Sequence, residues 1–219
     1  MKKTTKKTTK KLQFETAKPI ISSEENRINS DLEQNIAWVE QYFFHCSDLI
    51  VRRFRIGEAV PCNAVLLYLD GMTDSAVVHD NILVPLMHPV LIDAAMSYKV
   101  SSDFFAFVHT QLLPSGETTI VHTMDETVQA MMNGDVVLLL DQSIQGLVID
   151  AKGFPHRDLG EPRNEKTLRG PQEAFVEAMR VNTAMLRRRL HTGALKLEQM
   201  TIGTYTQTAV TIAYLEHIA

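Results

Sequence analysis

Residues 169–214 read RGPQEAFVEAMRVNTAMLRRRLHTGALKLEQMTIGTYTQTAVTIAY, and this stretch carries the strongest structural signals in the chain. Gly170 fits a helix N-cap, and Pro171 fits the first helical position, where its missing N–H costs nothing. Apolar side chains then recur every three or four residues, which is the spacing of one helix face. Gly193 is a natural helix stop. The pattern therefore predicts a helix of about five turns from Pro171 to about His191.

Two features distinguish this predicted helix from a simple amphipathic one. The amide of Asn182 interrupts an apolar face that consists of Phe175, Met179, Leu186 and Leu190. Three consecutive arginines, residues 187–189, fan over about 200° because successive helical residues lie about 100° apart. Either these cations offset the C-terminal end of the helix dipole, or a guanidinium beside the apolar face pairs with a carboxylate. We favour the pairing role for Arg189.

After Gly193 the periodicity changes from helical to alternating, which predicts a β-hairpin packed on the helix. The turn is the polar run Gly203–Thr208. The apolar strand positions on its two sides are Leu195, Leu197, Met200, Ile202, Val210, Ile212 and Tyr214.

The order and spacing of these pieces resemble the A subunit of GerA-family spore germinant receptors. The resemblance lies in RGP, in Asn182-Thr183 followed by RRRL, and in IG-x-x-T-x-T-x-V-x-I-x-Y. Earlier segments agree with it, namely VRRF, AVLLYLDG, ILVPLM and GDVVLLLDQ, so it covers most of the chain from about Asp48 onward. The sequence departs from the family at Ala174, where glycine is usual, and in the turn, where Thr204, Tyr205 and Gln207 replace basic residues.

The resemblance implies the soluble N-terminal domain of a receptor A subunit that continues into membrane helices. Such a subunit would work with B and C subunits and with other A subunits as an oligomer. It would lie in the inner spore membrane, with this domain on the cytosolic side, where nutrients trigger germination. The implied role is assembly and signal relay without catalysis or a cofactor. A direct binding module, with a germinant held in a cleft between two lobes, is the alternative.

Composition is that of a folded protein, since 45% of the 219 residues are hydrophobic and 22% are charged. The formal net charge of −4 is uneven, because residues 1–20 hold seven lysines and one glutamate, or +6, and the remainder is therefore −10. An acidic body argues against nucleic-acid binding. No uncharged run approaches the roughly 18 residues of a membrane span. Two cysteines without metal-ligand spacing favour a reduced compartment.

The part before residue 153 predicts an α/β lobe with a mixed sheet. We expect strands at 49–56, on a sheet edge, and at 64–69, 118–122, 136–140 and 147–149, the last two forming a hairpin. We expect helices at 28–43, or a shorter version capped by Ser30-Asp31, and at 75–86, 91–97, 103–112 and 126–133.

The predicted organisation is a disordered basic tail at 1–25, a first α/β subdomain at 26–152 and a connector at 153–168. A second subdomain at 169–219 consists of a helix plus a β-hairpin. It is small for an independent domain, and we expect it to be incomplete.

Charged groups beside the connector suggest contacts that hold the lobes together. Our hypothesis is a network between Arg169 or Arg189 and acids such as Asp150, Asp158 or Glu161. The full set assigned to an inter-lobe or subunit interface is Arg169, Asn182, Arg187, Arg189, Asp150 and Asp158.

The sequence gives little support for a metal site or for a catalytic site. Asp70, Asp141 and Asp150 end predicted strands and could hold a cation, although aspartate is also common in turns. No nucleotide-binding loop, nucleophile elbow or zinc motif occurs, so we assign no catalytic or metal residue.

Overall fold

The structure is a computed structural model that describes residues 26–57, 61–87, 102–113, 117–153 and 174–218. Within these ranges no helix has both the length and the hydropathy needed to cross a membrane. The predicted basic tail, the helix at 91–97 and residues 154–173 lie outside the described ranges. Those last residues include nearly all of the connector, Asp158, Arg169 and the predicted helix start at Pro171.

The described residues form a central five-stranded sheet with the order β1-β2-β4-β5-β3. Its strands are β1 (Leu49–Ile56), β2 (Cys62–Leu69), β3 (Thr118–Val121), β4 (Val136–Leu140) and β5 (Gly146–Ile149). Strand β1 lies at the edge, as predicted from its three arginines. All five residues of β4 are buried, because helices cover both faces of the sheet.

One face of the sheet is covered by helices α1 (Leu32–Tyr42) and α5 (Met124–Met132). Asp31 caps α1 by accepting a hydrogen bond from the Glu33 N–H, so the shorter version of this helix is the one that forms. Thr123 and Glu126 form a capping box at the start of α5.

The other face is covered by two helical segments that each contain a π-helical stretch. Helix α2 (Ser75–Val77) continues through a π-helix (Val78–Leu83) into α3 (Val84–Met87), and α4 (Ser102–Phe107) continues into a π-helix (Val108–Leu112). Their apolar side chains pack against the alternate residues of β2 and β4.

The α/β class is confirmed, but the sheet is antiparallel in every described pairing, whereas a mixed sheet was predicted. Strands β3 and β4, which α5 connects, run in the same direction and could have been parallel neighbours. Strand β5 lies between them and pairs antiparallel with both, so the two never meet. The predicted β4–β5 hairpin is present.

The last described elements are α6 (Met179–Arg189) and a two-stranded hairpin of β6 (Leu195–Ile202) and β7 (Thr208–Leu215). The hairpin is confirmed. The predicted helix is wrong over 174–178, which are not helical. Its buried face is also rotated from the predicted one, because Thr183, Ala184, Met185 and Arg187 are buried while Phe175 is exposed. The division into two subdomains remains a prediction, although Ala184 belongs to the core cluster of the first lobe.

Candidate functional site

Helix α6 is joined to the first lobe by a buried ion pair between Arg187 and Asp48. The Arg187 Nε donates to Asp48 Oδ2 at 2.7 Å, and Nη2 donates to Asp48 Oδ1 at 3.0 Å. Both side chains are only 1% exposed. This bidentate geometry matches the planar guanidinium to the planar carboxylate, which is why arginine rather than lysine suits the position.

The guanidinium of Arg187 makes two further contacts, one with a backbone carbonyl and one with an aromatic ring. Its Nη1 donates to the Thr192 carbonyl at 3.0 Å, and its guanidinium carbon lies 5.8 Å from the centre of the Phe43 ring. Burial acts to lower the pKa of Arg187, but the Asp48 carboxylate outweighs it and the pKa lies above its ordinary value. The guanidinium therefore stays charged and holds both the carboxylate and the turn after α6.

The loop between α1 and β1 also contacts the base of the hairpin through its backbone. The Leu197 N–H donates to the His45 carbonyl and the Ser47 N–H donates to the Leu197 carbonyl, each at 2.9 Å. His45 adopts a positive φ of 61°, an uncommon backbone conformation for a residue with a side chain. The loop thus adds a short parallel contact, Cys46 to Leu197, to the free side of β6.

Side chains reinforce this backbone contact. The Tyr214 hydroxyl donates to Glu198 Oε1 at 2.6 Å, and His45 Nδ1 lies 2.5 Å from the same oxygen. The hydrogen bond from Tyr214, followed by the one from His45, lowers the pKa of Glu198. Burial raises the pKa of the nearby Cys46 thiol, which therefore remains neutral.

A second ion pair joins the other end of α6 to the first lobe. Arg180 Nε lies 3.0 Å from Asp70 Oδ2, and the two side chains are 40% and 38% exposed. The adjacent Gly71 has φ +86°, and a Cβ added to it would lie 3.1 Å from the Arg180 carbonyl oxygen and 3.2 Å from the Ala184 Cβ. The glycine therefore permits both the turn after β2 and the close approach of α6.

Asn182 has a local role. Its Oδ1 accepts from the Val176 N–H at 2.8 Å, and its Nδ2 donates to the Val176 carbonyl at 2.6 Å. These two hydrogen bonds hold the backbone before α6 against the side of the helix. The amide therefore interrupts the apolar face because it satisfies the polar groups of a non-helical segment.

The structure thus brings together only part of the predicted interface. Arg187 lies at its centre. Arg189, for which we favoured a pairing role, is exposed, and its role stays a prediction. Asp150 faces Lys152 of its own lobe, with Nζ to Oδ1 at 3.5 Å. The carboxylate that meets the buried arginine is Asp48, which sequence reasoning missed, together with His45 and Glu198. The partners are 139 residues apart, so no local pattern could have shown the pair.

The three strand-end aspartates do not form a cation site. Asp70 faces Arg180 and Asp150 faces Lys152, while Asp141 lies 3.5 Å from the Asn63 amide. In the part of the chain that the structure describes, no three His, Cys, Asp or Glu side chains are grouped so as to hold a metal ion. The geometry is that of an interface between α6, the hairpin and the first lobe.

Sequence comparison identifies the chain as a member of a class of bacterial spore proteins. The chain belongs to the Bacillus/Clostridium GerA spore germination protein family, whose model matches residues 37–219. It is 32% identical to Spore germination protein B1 of Bacillus subtilis (strain 168) over 194 residues, which are 88% of this chain and 38% of that protein. It is 30% identical to the uncharacterized membrane protein YfkQ of the same strain over 203 residues, or 92% of this chain and 37% of that protein. The chain therefore spans less than half the length of these relatives.

A solved structure has the same fold. It is the crystal structure of the N-terminal domain of the A subunit of the Bacillus megaterium spore germinant receptor GerK3, with a TM-score of 0.68 and 24% identity. The match covers 88% of this chain and 68% of that one.

Proposed function

We propose that this chain is the N-terminal domain of a spore germinant receptor A subunit, and that it acts as a non-catalytic assembly and signal-relay module. The receptor would contain B and C subunits and further A subunits at the inner spore membrane, with this domain on the cytosolic side. Family membership and the shared fold support the setting. The relay role is inferred from the contacts of α6.

The observation that carries the relay role is the buried Asp48–Arg187 pair. It joins the α1–β1 loop of the first lobe to α6, and the Thr192 carbonyl extends the contact to the turn before β6. Because a buried ion pair is costly to separate, α6 and the first lobe move together. A displacement of the hairpin then moves α6 and the first lobe with it. The result is a shift in population between discrete arrangements of the two lobes.

The test is nutrient-triggered germination of spores in which the receptor carries Arg187→Ala or, as a matched control, Arg180→Ala. We expect the Arg187 variant to lose the fall in optical density after nutrient addition, and the Arg180 variant to keep it. Receptor level is measured by immunoblot. If Arg187→Ala removes the protein from the spore, Arg187→Lys replaces it, because lysine keeps the charge but lacks the bidentate fork. A normal response from an Arg187 variant contradicts the relay role.

A melting experiment separates relay from direct germinant binding. A relay domain shows no change in melting temperature when amino acids or sugars are added. A binding domain shows a saturable increase that grows as RT ln(1 + [L]/Kd). Such an increase would replace the relay role with ligand binding between the lobes.

A further inference from the structure

We propose that Tyr42, the last residue of α1, is a positioning residue for the relay. Its ring fills the space that Gly193 leaves open and so holds the α6–β6 turn, residues 190–194, against α1. The inference rests on the proposed function for its role in signalling, whereas the contact itself is argued from the geometry of the two residues.

Gly193 is buried in the α6–β6 turn and packs directly against the ring of Tyr42. A Cβ added to Gly193 would lie closest to Tyr42 Cε1, and it would also lie 2.9 Å from Cδ1 and 3.0 Å from Cζ. All three of its nearest neighbours are therefore atoms of one aromatic ring. Because protein interiors are close-packed, any larger residue at position 193 would have to displace this ring.

The backbone φ of Gly193 does not explain why this residue is a glycine. Four other described glycines have a positive φ, a conformation that favours glycine, but Gly193 does not. It also does not cap α6, which ends at Arg189 and has Leu190 as its C-cap residue. The missing side chain at position 193 is therefore needed for the close approach of Tyr42.

The ring of Tyr42 is held in place by two aromatic neighbours. Trp38, one turn earlier on α1, stacks on it with ring centres 5.4 Å apart and an angle of 15° between the planes. Phe43 meets it edge-on, with ring centres 5.2 Å apart and an angle of 69°. Both arrangements are favourable for aromatic pairs. Phe43 is also the ring that contacts the guanidinium of Arg187, so the Tyr42 contact and the buried ion pair share a neighbour.

The buried ion pair and Tyr42 hold successive residues of the same turn. Arg187 Nη1 donates to the Thr192 carbonyl at 3.0 Å, and Tyr42 covers Gly193. Within the turn, the Ala194 N–H donates to Thr192 Oγ1 at 3.2 Å. A turn that is held at two successive residues bends less, so a displacement of the hairpin reaches α6 instead of being absorbed between them. Tyr42 thus sets the stiffness of the joint through which the relay acts.

The contact is tested by the melting temperatures of the 219-residue chain and its Gly193→Ala, Tyr42→Ala and Gly193→Ala/Tyr42→Ala variants. We expect Gly193→Ala to lower the melting temperature by at least about 3 °C, because its Cβ overlaps the ring. In the Tyr42→Ala background the same change should leave the melting temperature unchanged or raise it, because alanine reduces the conformational entropy of the unfolded chain.

The matched control for this experiment is Tyr42→Phe, which keeps the ring and removes only the hydroxyl. Gly193→Ala should lower the melting temperature as much in the Tyr42→Phe background as in the parent. If Gly193→Ala alone does not fold, the double alanine variant should still fold. A loss below about 1 °C for Gly193→Ala, an equal loss in the parent and in the Tyr42→Ala background, or a double alanine variant that does not fold overturns the inference.

Germination of spores that carry the variant receptor separates positioning from stability. At equal receptor level, we expect Tyr42→Ala to slow the fall in optical density at least about 5-fold and Tyr42→Phe to keep the parental rate. If Tyr42→Ala lowers the receptor level, Tyr42→Leu replaces it, since leucine also lacks the flat ring. Val136→Ala is the stability control, because it truncates a buried side chain in the core on the opposite face of the sheet, and its spores should respond at the parental rate.

The outcomes of the germination experiment distinguish this inference from the proposed function. A parental rate in Tyr42→Ala spores, or an equal slowing in Val136→Ala spores, overturns the inference. If Tyr42→Ala spores respond normally while Arg187 variants fail, the proposed function stands without it. If the Tyr42 and Arg187 variants both respond normally, the proposed function is wrong as well.

Discussion

Among the residues that the structure describes, two arginine–aspartate pairs join helix α6 to the first lobe, and they lie two turns apart and differ in exposure. Arg187 and Asp48 are each 1% exposed, whereas Arg180 and Asp70 are 40% and 38% exposed. At similar distances the exposed pair is screened by water, and the buried pair is not. From this difference we expect the same two residue types to hold α6 strongly at its C-terminal end and weakly near its N-terminal end.

The largest expected effect comes from removing the buried arginine. Arg187→Ala leaves the Asp48 carboxylate buried without its cation and should reduce the free energy of unfolding by about 3–5 kcal/mol. Urea unfolding followed by circular dichroism measures the change. A loss below about 1 kcal/mol would show that water or another cation reaches Asp48, and the contrast between the two pairs would disappear.

A smaller loss is expected at the glycine that lies under α6. Gly71→Ala forces a side chain into φ +86° and brings its Cβ within 3.1 Å of the Arg180 carbonyl oxygen. We expect a loss of about 1–3 kcal/mol, measured in the same urea experiment. If the variant is as stable as the parent, α6 moves away from residue 71 and makes room for the new Cβ. The contact between α6 and the first lobe near Arg180 is then less tightly packed than the structure indicates.

Of the contacts between α6 and the first lobe, the exposed pair should contribute less than the buried pair and Gly71. Arg180→Ala removes an ion pair that solvent already screens, so we expect a loss of about 0–1 kcal/mol. Added salt should weaken this contribution further. A loss as large as that of Arg187→Ala would contradict the assignment of stability to burial.

The smallest expected effect is a pH dependence of stability that comes from Glu198 at the base of the hairpin. Hydrogen bonds from Tyr214 and His45 lower the pKa of Glu198 below the ordinary value of a glutamate side chain. The folded state therefore gains stability from Glu198 above that pH and loses it as the pH falls through the lowered pKa. Glu198→Gln should be slightly less stable than the parent at pH 7, and the difference should disappear as the pH falls through the lowered pKa of Glu198. If the free energies of unfolding of the parent and the variant differ by the same amount at every pH, the hydrogen bonds from Tyr214 and His45 do not stabilise the ionised form of Glu198.

The first lobe could be predicted well because its signals are local. The uninterrupted apolar runs in β2 and β4 indicate strands with both faces covered, and the structure shows this for β4. Whether the strands pair parallel or antiparallel was harder to predict, because the position of β5 between β3 and β4 depends on contacts across the whole sheet.

The site was less predictable because its partners are distant in sequence. The hydrogen bonds of Asn182 to Val176 keep 174–178 out of the helix, although Gly170 and Pro171 look like a helix start. Spacing alone could not show which of three consecutive arginines is buried, because that depends on Asp48 in another element. Arg187 was within the set assigned to the interface, but the ion pair was assigned to Arg169 or Arg189, and Asp48 was not in the set.

The most direct test of the account is a double-mutant cycle on Asp48 and Arg187, with the same cycle on Asp70 and Arg180 as its control. Each cycle compares the free energies of unfolding of the parent, the two single alanine variants and the double variant. We expect a coupling energy of about 2–3 kcal/mol for the buried pair and less than about 1 kcal/mol for the exposed pair. Equal, small couplings would contradict the claim that the Asp48–Arg187 pair joins α6 to the first lobe.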